Sequence, residues 1–217
     1  MKKSSPLHRI FNFIVNLLSF VFWAVILFGF NTPGVAMLTF LCAVIHECGH
    51  ITALVFTGNF RGLPHFALSG MRLSSKTNIS YRDELLILIA GPFVNLLASL
   101  FFYFLSLVFG EYFLIFSILN LFTAISNLVP IEGYDGYKIL VVLLSMLGVE
   151  GGFRIISIIS FSFLVILTFL SLYLIMKLGE GYWIFGIFFI SLLDSLFKSK
   201  NIKKRDLKRF REKRRVF

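Results

Sequence analysis

Two histidines four positions apart, with a glutamate directly after the first, are the residues of this chain that point most clearly to chemistry. They form the sequence His46-Glu47-Cys48-Gly49-His50. On a helix, side chains four positions apart project from one face, so both imidazoles can bind one metal ion with Glu47 beside it. This is the arrangement of zinc hydrolases. It predicts His46 and His50 as metal ligands and Glu47 as the catalytic residue.

The motif lies in an apolar stretch, residues 34–56, whose length and composition predict a transmembrane helix. Charged and imidazole groups are costly in hydrocarbon, and a cluster of them at this depth therefore indicates a functional site. The helix that must position the motif is a membrane span.

The composition places the whole chain in the membrane. Of 217 residues 58% are hydrophobic and only 15% are charged, and the mean hydropathy is +0.88. A soluble fold needs more polar surface than this. The net charge of +10 comes from Lys and Arg at the ends and in the connections between apolar stretches, where the positive-inside rule places them. The excess of basic residues thus reflects the orientation of the protein in a lipid bilayer, and no nucleic-acid partner is expected.

The apolar stretches predict an all-α polytopic protein of the cell membrane with about six transmembrane helices. Residues 137–147 are apolar but too short to cross. With six crossings, both termini, the 59–82 connection and the loop before residue 135 are expected on the cytoplasmic side. We predict one transmembrane domain, residues 1–197, and a basic cytoplasmic tail, residues 198–217. The predicted spans are 10–30, 34–56, 84–109, 112–129, 153–176 and 182–197.

The connection after the motif helix has the alternation of a strand pair. Phe66 and Leu68 alternate with polar or small residues, and Met71 and Leu73 do so again after Ser69-Gly70. This pattern predicts a short β-hairpin, with an irregular amphipathic loop as the alternative.

A third metal ligand is predicted after the fourth span, which stops at Pro130. The following segment, residues 131–136, has two glycines and two acids. Irregular backbone beside a membrane is tolerated only where it is buried in protein or lines a wet cavity. Asp135 is therefore the best candidate for the third ligand.

Asparagines lie inside two of the spans. Gly91-Pro92 in the third span permits close helix approach and a kink beside a cavity, and Asn95 follows four residues after the glycine. Asn120 and Asn127 share a face of the fourth span, since they are seven positions apart. Two roles are open for Asn95: it holds two helices together, or it takes part in catalysis.

These motifs together resemble the site-2 protease family of intramembrane zinc metalloproteases. The resemblance rests on His46-Glu47-x-x-His50, on Gly91-Pro92-x-x-Asn95, and on Asn127-Leu128-Val129-Pro130 running on to Asp135-Gly136, and it covers residues 34–145. With no PDZ domain between spans, the chain looks most like the subgroup of the stage IV sporulation protein FB, whose members process membrane-associated transcription-factor precursors. A CBS domain often follows in that subgroup, whereas here a short basic tail is expected.

The resemblance implies a mechanism and a substrate class. One zinc ion per chain is held by His46, His50 and Asp135, and Glu47 takes the proton of the attacking water and passes it to the leaving amine. The substrate is a membrane-associated protein, such as a regulatory or transcription-factor precursor, and a regulatory membrane protein is a possible partner. Residues expected to bind the substrate or the developing oxyanion are Asn95, Asn127, Leu68 and Met71.

A metal transporter or a metal sensor without hydrolytic activity is the alternative reading. In such a protein His46, His50, Asp135 and Glu132 form a transit or binding site. A glutamate directly beside the first histidine is rarely needed for transport, so Glu47 favours the protease. A catalytically dead scaffold is disfavoured because both histidines, the glutamate and the aspartate are present.

Overall fold

A computed structural model describes residues 33–67, 70–75, 79–149 and 152–178, with short helical pieces between 185 and 195. These residues are mostly helical. Contacts divide the chain into two units, residues 1–127 and 128–217. The elements are α1 (Pro33–Phe56), β1 (Phe60–Ala67), β2 (Gly70–Ser75), α2 (Tyr81–Phe109), α3 (Glu111–Leu128), α4 (Asp135–Met146) and α5 (Gly152–Leu178).

Helix α1 carries the histidine motif and has clear signals at both ends. Pro33 stands at its first position, where the missing N–H costs no helical hydrogen bond. At the other end Gly58 adopts φ +65°, and the N–H of Asn59 donates to the carbonyl of Leu54 at 2.9 Å. This left-handed glycine closure stops the helix and turns the chain toward β1.

Strands β1 and β2 pair antiparallel, with Phe66 opposite Met71 and Ala67 opposite Gly70. The pairing is irregular nearer Phe60. Residues 68–69, which join the strands, lie outside the described residues. The short β-hairpin as a closed unit therefore stays a prediction.

Helix α2 begins with an N-cap. The hydroxyl of Ser80 accepts from the N–H of Asp83 at 3.1 Å, and two acids occupy the first turn, where the helix dipole favours negative charge. The helix continues through Pro92 to Phe109. Buried small and polar residues of α2 face its neighbours: Gly91, Asn95 and Ser99.

Helix α3 joins α2 through side-chain hydrogen bonds. The hydroxyl of Ser117 donates to the carbonyl of Ser99 at 2.7 Å, and the amide of Asn95 donates to Asn120 at 3.0 Å. In hydrocarbon, where the hydrophobic effect does not drive helices together, such bonds and close packing hold them.

The second unit has a short helix and a long one. Glu132 in the loop before α4 donates its N–H to the hydroxyl of Ser160 on α5 at 2.8 Å, and the ring of Tyr137 on α4 packs edge-on against Phe153. These contacts join the loop and α4 to α5. Helix α4 has 12 residues, about 18 Å of rise, too short to cross a bilayer, as predicted.

Four of the described helices are long and apolar enough to cross a membrane: Pro33–Phe56, Tyr81–Phe109, Glu111–Leu128 and Gly152–Lys177. They agree with the predicted spans 34–56, 84–109, 112–129 and 153–176. The protein is therefore a multi-pass membrane protein. The predicted span 10–30 and the basic tail lie outside the described residues, as does most of 182–197, so the count of six stays a prediction.

Candidate metal centre

The imidazoles of His46 and His50 lie against each other on the buried face of α1. Each residue is only 5% exposed, and their Nε2 atoms are 3.1 Å apart. The rings meet edge-on, with centroids 4.7 Å apart. The two imidazoles therefore share one helix face, as predicted. Their Nε2 atoms lie close enough together to bind one metal ion.

The partner of His50 defines its tautomer. Its Nδ1 lies 2.7 Å from the backbone carbonyl oxygen of Ile87 on α2. A carbonyl oxygen only accepts, so Nδ1 must carry the hydrogen and donate it. In the neutral ring the lone pair is then on Nε2, the atom that faces His46.

His46 is held in the same tautomer by Asn95. Its Nδ1 lies 3.1 Å from Asn95 Oδ1. The opposite end of the amide, Nδ2, lies 3.1 Å from the carbonyl oxygen of Cys42, which only accepts. The amide nitrogen is therefore the end nearest Cys42, and the amide oxygen must accept from His46 Nδ1.

These two tautomers leave unprotonated Nε2 atoms facing each other at 3.1 Å. Two nitrogen lone pairs this close repel each other unless a proton or a cation lies near them. A pair of neutral imidazoles, each donating its other N–H to an oxygen, is the usual way histidine binds zinc. The residues present therefore fit a zinc ion.

Two glycines allow α1 and α2 to approach closely beside the histidines. A Cβ at Gly49 would lie 2.6 Å from the carbonyl oxygen of Ala90, and a Cβ at Gly91 would lie 2.5 Å from His50 Nε2 and 2.9 Å from His46 Cε1. Real Cβ atoms do not come this close. Gly49 and Gly91 thus bring the α2 backbone against the ligand ends of both rings.

Glu47 occupies the next position on α1 and is part-buried. Successive residues of a helix are about 100° apart around its axis, so its carboxyl starts from a different face than the imidazole of His46. Glu47 is nevertheless adjacent in sequence to His46, a predicted metal ligand.

Asp135 is the first residue of α4, in the second unit. Its side chain is 7% exposed, and Oδ1 accepts from Lys138 Nζ at 2.8 Å. The backbone after it is tightly packed: a Cβ on Gly136 would overlap the carbonyl oxygen of Leu128. Just before it, burial raises the pKa of the Tyr134 phenol. The carboxylate is thus held at a defined place at the start of a helix.

The residues predicted to bind substrate have different environments. Asn95 donates from its amide nitrogen to both Cys42 and Asn120, so both amide hydrogens are used inside the protein. Asn127 donates to the carbonyl of Thr123 one turn back at 2.9 Å. Met71 is in β2, and Leu68 lies outside the described residues.

Asn120 is a participant that the sequence motifs do not indicate. The spacing predicts only that it shares a face with Asn127, yet its Oδ1 accepts from Asn95, which accepts from His46. An asparagine in each of two successive apolar spans was a usable signal, because a polar amide inside a span usually has a polar partner on a neighbouring helix.

Comparisons with known proteins show a likeness among solved structures. No protein-family model matches the chain, and no curated protein matches it by sequence. Among solved structures it is similar to the "Site-2 Protease from Methanocaldococcus jannaschii", with a TM-score of 0.59 and 23% sequence identity over 84% of this chain and 88% of that chain. At this identity the likeness shows a shared fold.

Proposed function

We propose that this protein is an intramembrane zinc metalloprotease of the site-2 protease family, which hydrolyses a peptide bond in or near a transmembrane segment of a membrane-associated protein. The observation that carries the proposal is the pair of buried imidazoles on α1, with both Nδ1 atoms donating and both Nε2 atoms 3.1 Å apart. That pair is on a helix apolar enough to cross a membrane. The shared fold with a solved site-2 protease supports the same assignment.

Asp135 is the third zinc ligand in this proposal, with one ion per chain. Two imidazoles and one carboxylate make a three-ligand set of the kind that leaves a coordination position open for chemistry. The support is the acidic residue's buried side chain at the start of α4 and the Asp135-Gly136 sequence that matches the family motif. When bound, zinc acts as a Lewis acid and makes water acidic enough to react near neutral pH.

Glu47 is the general base and then the general acid. A carboxylate accepts a proton from the attacking water and returns it to the amine that leaves when the peptide bond breaks. The position directly after a histidine ligand suits this role, because it keeps the carboxyl near the reacting centre without using it as a ligand.

The substrate must unwind before it is cut, since a helix hides its carbonyls in its own hydrogen bonds. An extended segment can then pair with β1 or β2 by β-augmentation, with Leu68 and Met71 in the pairing region. Asn127, which has a second amide hydrogen besides the one given to Thr123, is the better of the two asparagines to contact substrate. We extend the proposal in two ways: the substrate is a regulatory precursor, and the protein falls in the subgroup of the stage IV sporulation protein FB.

The decisive experiment replaces Glu47 with glutamine. Glu47→Gln keeps the size of the side chain but cannot take the proton, so zinc should stay bound while cleavage falls by about 10²- to 10⁴-fold. Parent and variant are co-expressed with candidate membrane substrates, and cleavage is followed by immunoblot beside metal uptake by the cells.

The matched control is Glu111→Gln, the same substitution at an exposed residue that begins α3, and it should cleave as the parent does. Cleavage by Glu47→Gln at the parental rate would contradict the role of Glu47. Altered metal uptake with no accumulation of an uncleaved protein would instead support a transporter.

A further inference from the structure

Asn120 is a completely buried polar residue in the middle of a membrane span. It is 0% exposed, and it is not part of the three motifs on which the sequence resemblance rests. Its Nδ2 donates to the carbonyl oxygen of Phe116, one turn back on α3, at 2.9 Å. Because that carbonyl only accepts, the amide nitrogen must be the end nearest Phe116. The amide oxygen is then directed away, toward α2.

The amide oxygen of Asn120 receives a hydrogen bond from Asn95 Nδ2 at 3.0 Å. Asn95 in turn accepts from His46 Nδ1. The three bonds therefore have one direction, from His46 through Asn95 and Asn120 to the carbonyl of Phe116. Turning either amide around would place like atoms against each other, two acceptors or two donors, in a buried site. The chain of bonds thus has one low-energy arrangement.

We propose that Asn120 is a positioning residue for the metal ligand His46, and that it acts through Asn95. By holding the Asn95 amide with its oxygen toward Nδ1, Asn120 keeps the proton of His46 on Nδ1 and the lone pair on Nε2. The outer partners of histidine ligands orient the ring and raise its basicity in metal sites. The inference rests on the proposed metal site but not on peptide hydrolysis.

A purely structural role for Asn120 is the competing explanation, because its bond to Asn95 also joins α2 to α3. The chain offers a matched control for that role. Ser117 lies on the same helix, one turn earlier, and joins α3 to α2 through its hydrogen bonds to Ser99. Neither of these two bonds involves His46. Removing the Ser117 hydroxyl should weaken the helix contact and leave the metal ligand alone.

The experiment measures zinc binding by the full chain in detergent or nanodiscs. The dissociation constant is obtained by competition with a chromophoric chelator, and the visible spectrum of the cobalt(II)-loaded protein reports ligand geometry. Thermal unfolding is followed in parallel. The variants are Asn120→Leu, which removes the acceptor, Asn120→Asp and Ser117→Ala. Burial in the membrane span keeps the carboxyl of Asn120→Asp protonated, so it offers an acceptor oxygen to Asn95 and an O–H to the carbonyl of Phe116.

We expect Asn120→Leu to weaken zinc binding about 10-fold, at the lower end of the range for losing an outer partner of a ligand, since the carbonyl of Cys42 still orients Asn95. Its cobalt spectrum should change. Asn120→Asp should bind zinc nearly as the parent does. Ser117→Ala should unfold at a lower temperature with unchanged zinc affinity and spectrum.

Zinc affinity and cobalt spectrum that stay parental in Asn120→Leu would overturn the proposal while leaving the metalloprotease assignment intact. Equal weakening by Asn120→Leu and Ser117→Ala would also overturn it, because it would indicate helix packing alone. A parent that binds zinc but cleaves nothing would contradict the protease and leave the positioning role standing. A parent that binds no zinc would overturn both.

Discussion

Gly91 on α2 lies directly against the imidazole of His50 on α1. A Cβ built at position 91 would be 2.5 Å from His50 Nε2, the atom expected to bind the metal. The glycine is therefore needed for space at the ligand atoms, and the helix propensity lost by having a glycine at this position is the cost of that approach.

Replacing Gly91 with alanine should abolish or strongly weaken zinc binding, because the new methyl group occupies the space beside both histidine rings. Gly34→Ala, also on α1, is the matched control, since none of the described residues lies within 4 Å of a Cβ at that position. The control should bind zinc as the parent does and gain up to about 1 kcal/mol of helix stability. Zinc per chain is measured by elemental analysis. Parental zinc content in Gly91→Ala would show that α2 can move away from the site.

Asp135→Ala should lower zinc affinity more than the roughly 10- to 100-fold expected for losing an outer partner of a ligand, because in the proposed site it removes a ligand itself. The variant also removes the ion-pair partner of Lys138, whose side chain is half exposed and whose ammonium pairs with the carboxylate. Lys138→Gln serves as the control for loss of that ion pair and should retain zinc. If Asp135→Ala keeps full zinc, the third ligand lies elsewhere, and Glu132 is the next residue to test.

Both termini should be cytoplasmic, because Lys and Arg are concentrated at residues 2–9 and 198–217. A reporter enzyme that is active only outside the cell should stay silent when fused after Phe217. The same reporter inserted after Gly110, in the short connection between α2 and α3, should be active. The opposite pattern would rule out the six-span topology.

A proline in β2 should weaken substrate processing while zinc stays bound. Met71 pairs with Phe66 in the strand register, and proline removes a backbone N–H that a strand needs for pairing. Met71→Pro is compared with Ile79→Pro, which precedes the N-cap of α2 and lies outside both strands. Processing is measured by immunoblot and zinc by elemental analysis. Equal processing by parent and Met71→Pro would indicate that the strand pair only connects α1 to α2 and does not bind substrate.

The sequence by itself determined that this is a multi-pass membrane protein. It also determined the four spans found among the described residues, to within a few residues, and the position of both histidines on one helix face. Each of these follows from local information: the length of an apolar stretch, the proline or polar residue that ends it, and the spacing of four residues on a helix. The same local information shows that α4 is too short to cross.

Only the tertiary structure decided which atoms of the histidines are available and what Asn95 does. The bonds that define the two tautomers join residues far apart in sequence: His46 to Asn95, 49 positions away, and His50 to Ile87, 37 positions away. The sequence leaves a helix-joining role and a catalytic role open for Asn95, whereas the structure directs its amide hydrogens to Cys42 and Asn120. No local pattern reports such contacts, because they depend on how closely two helices pack and on the rotation of each about its own axis.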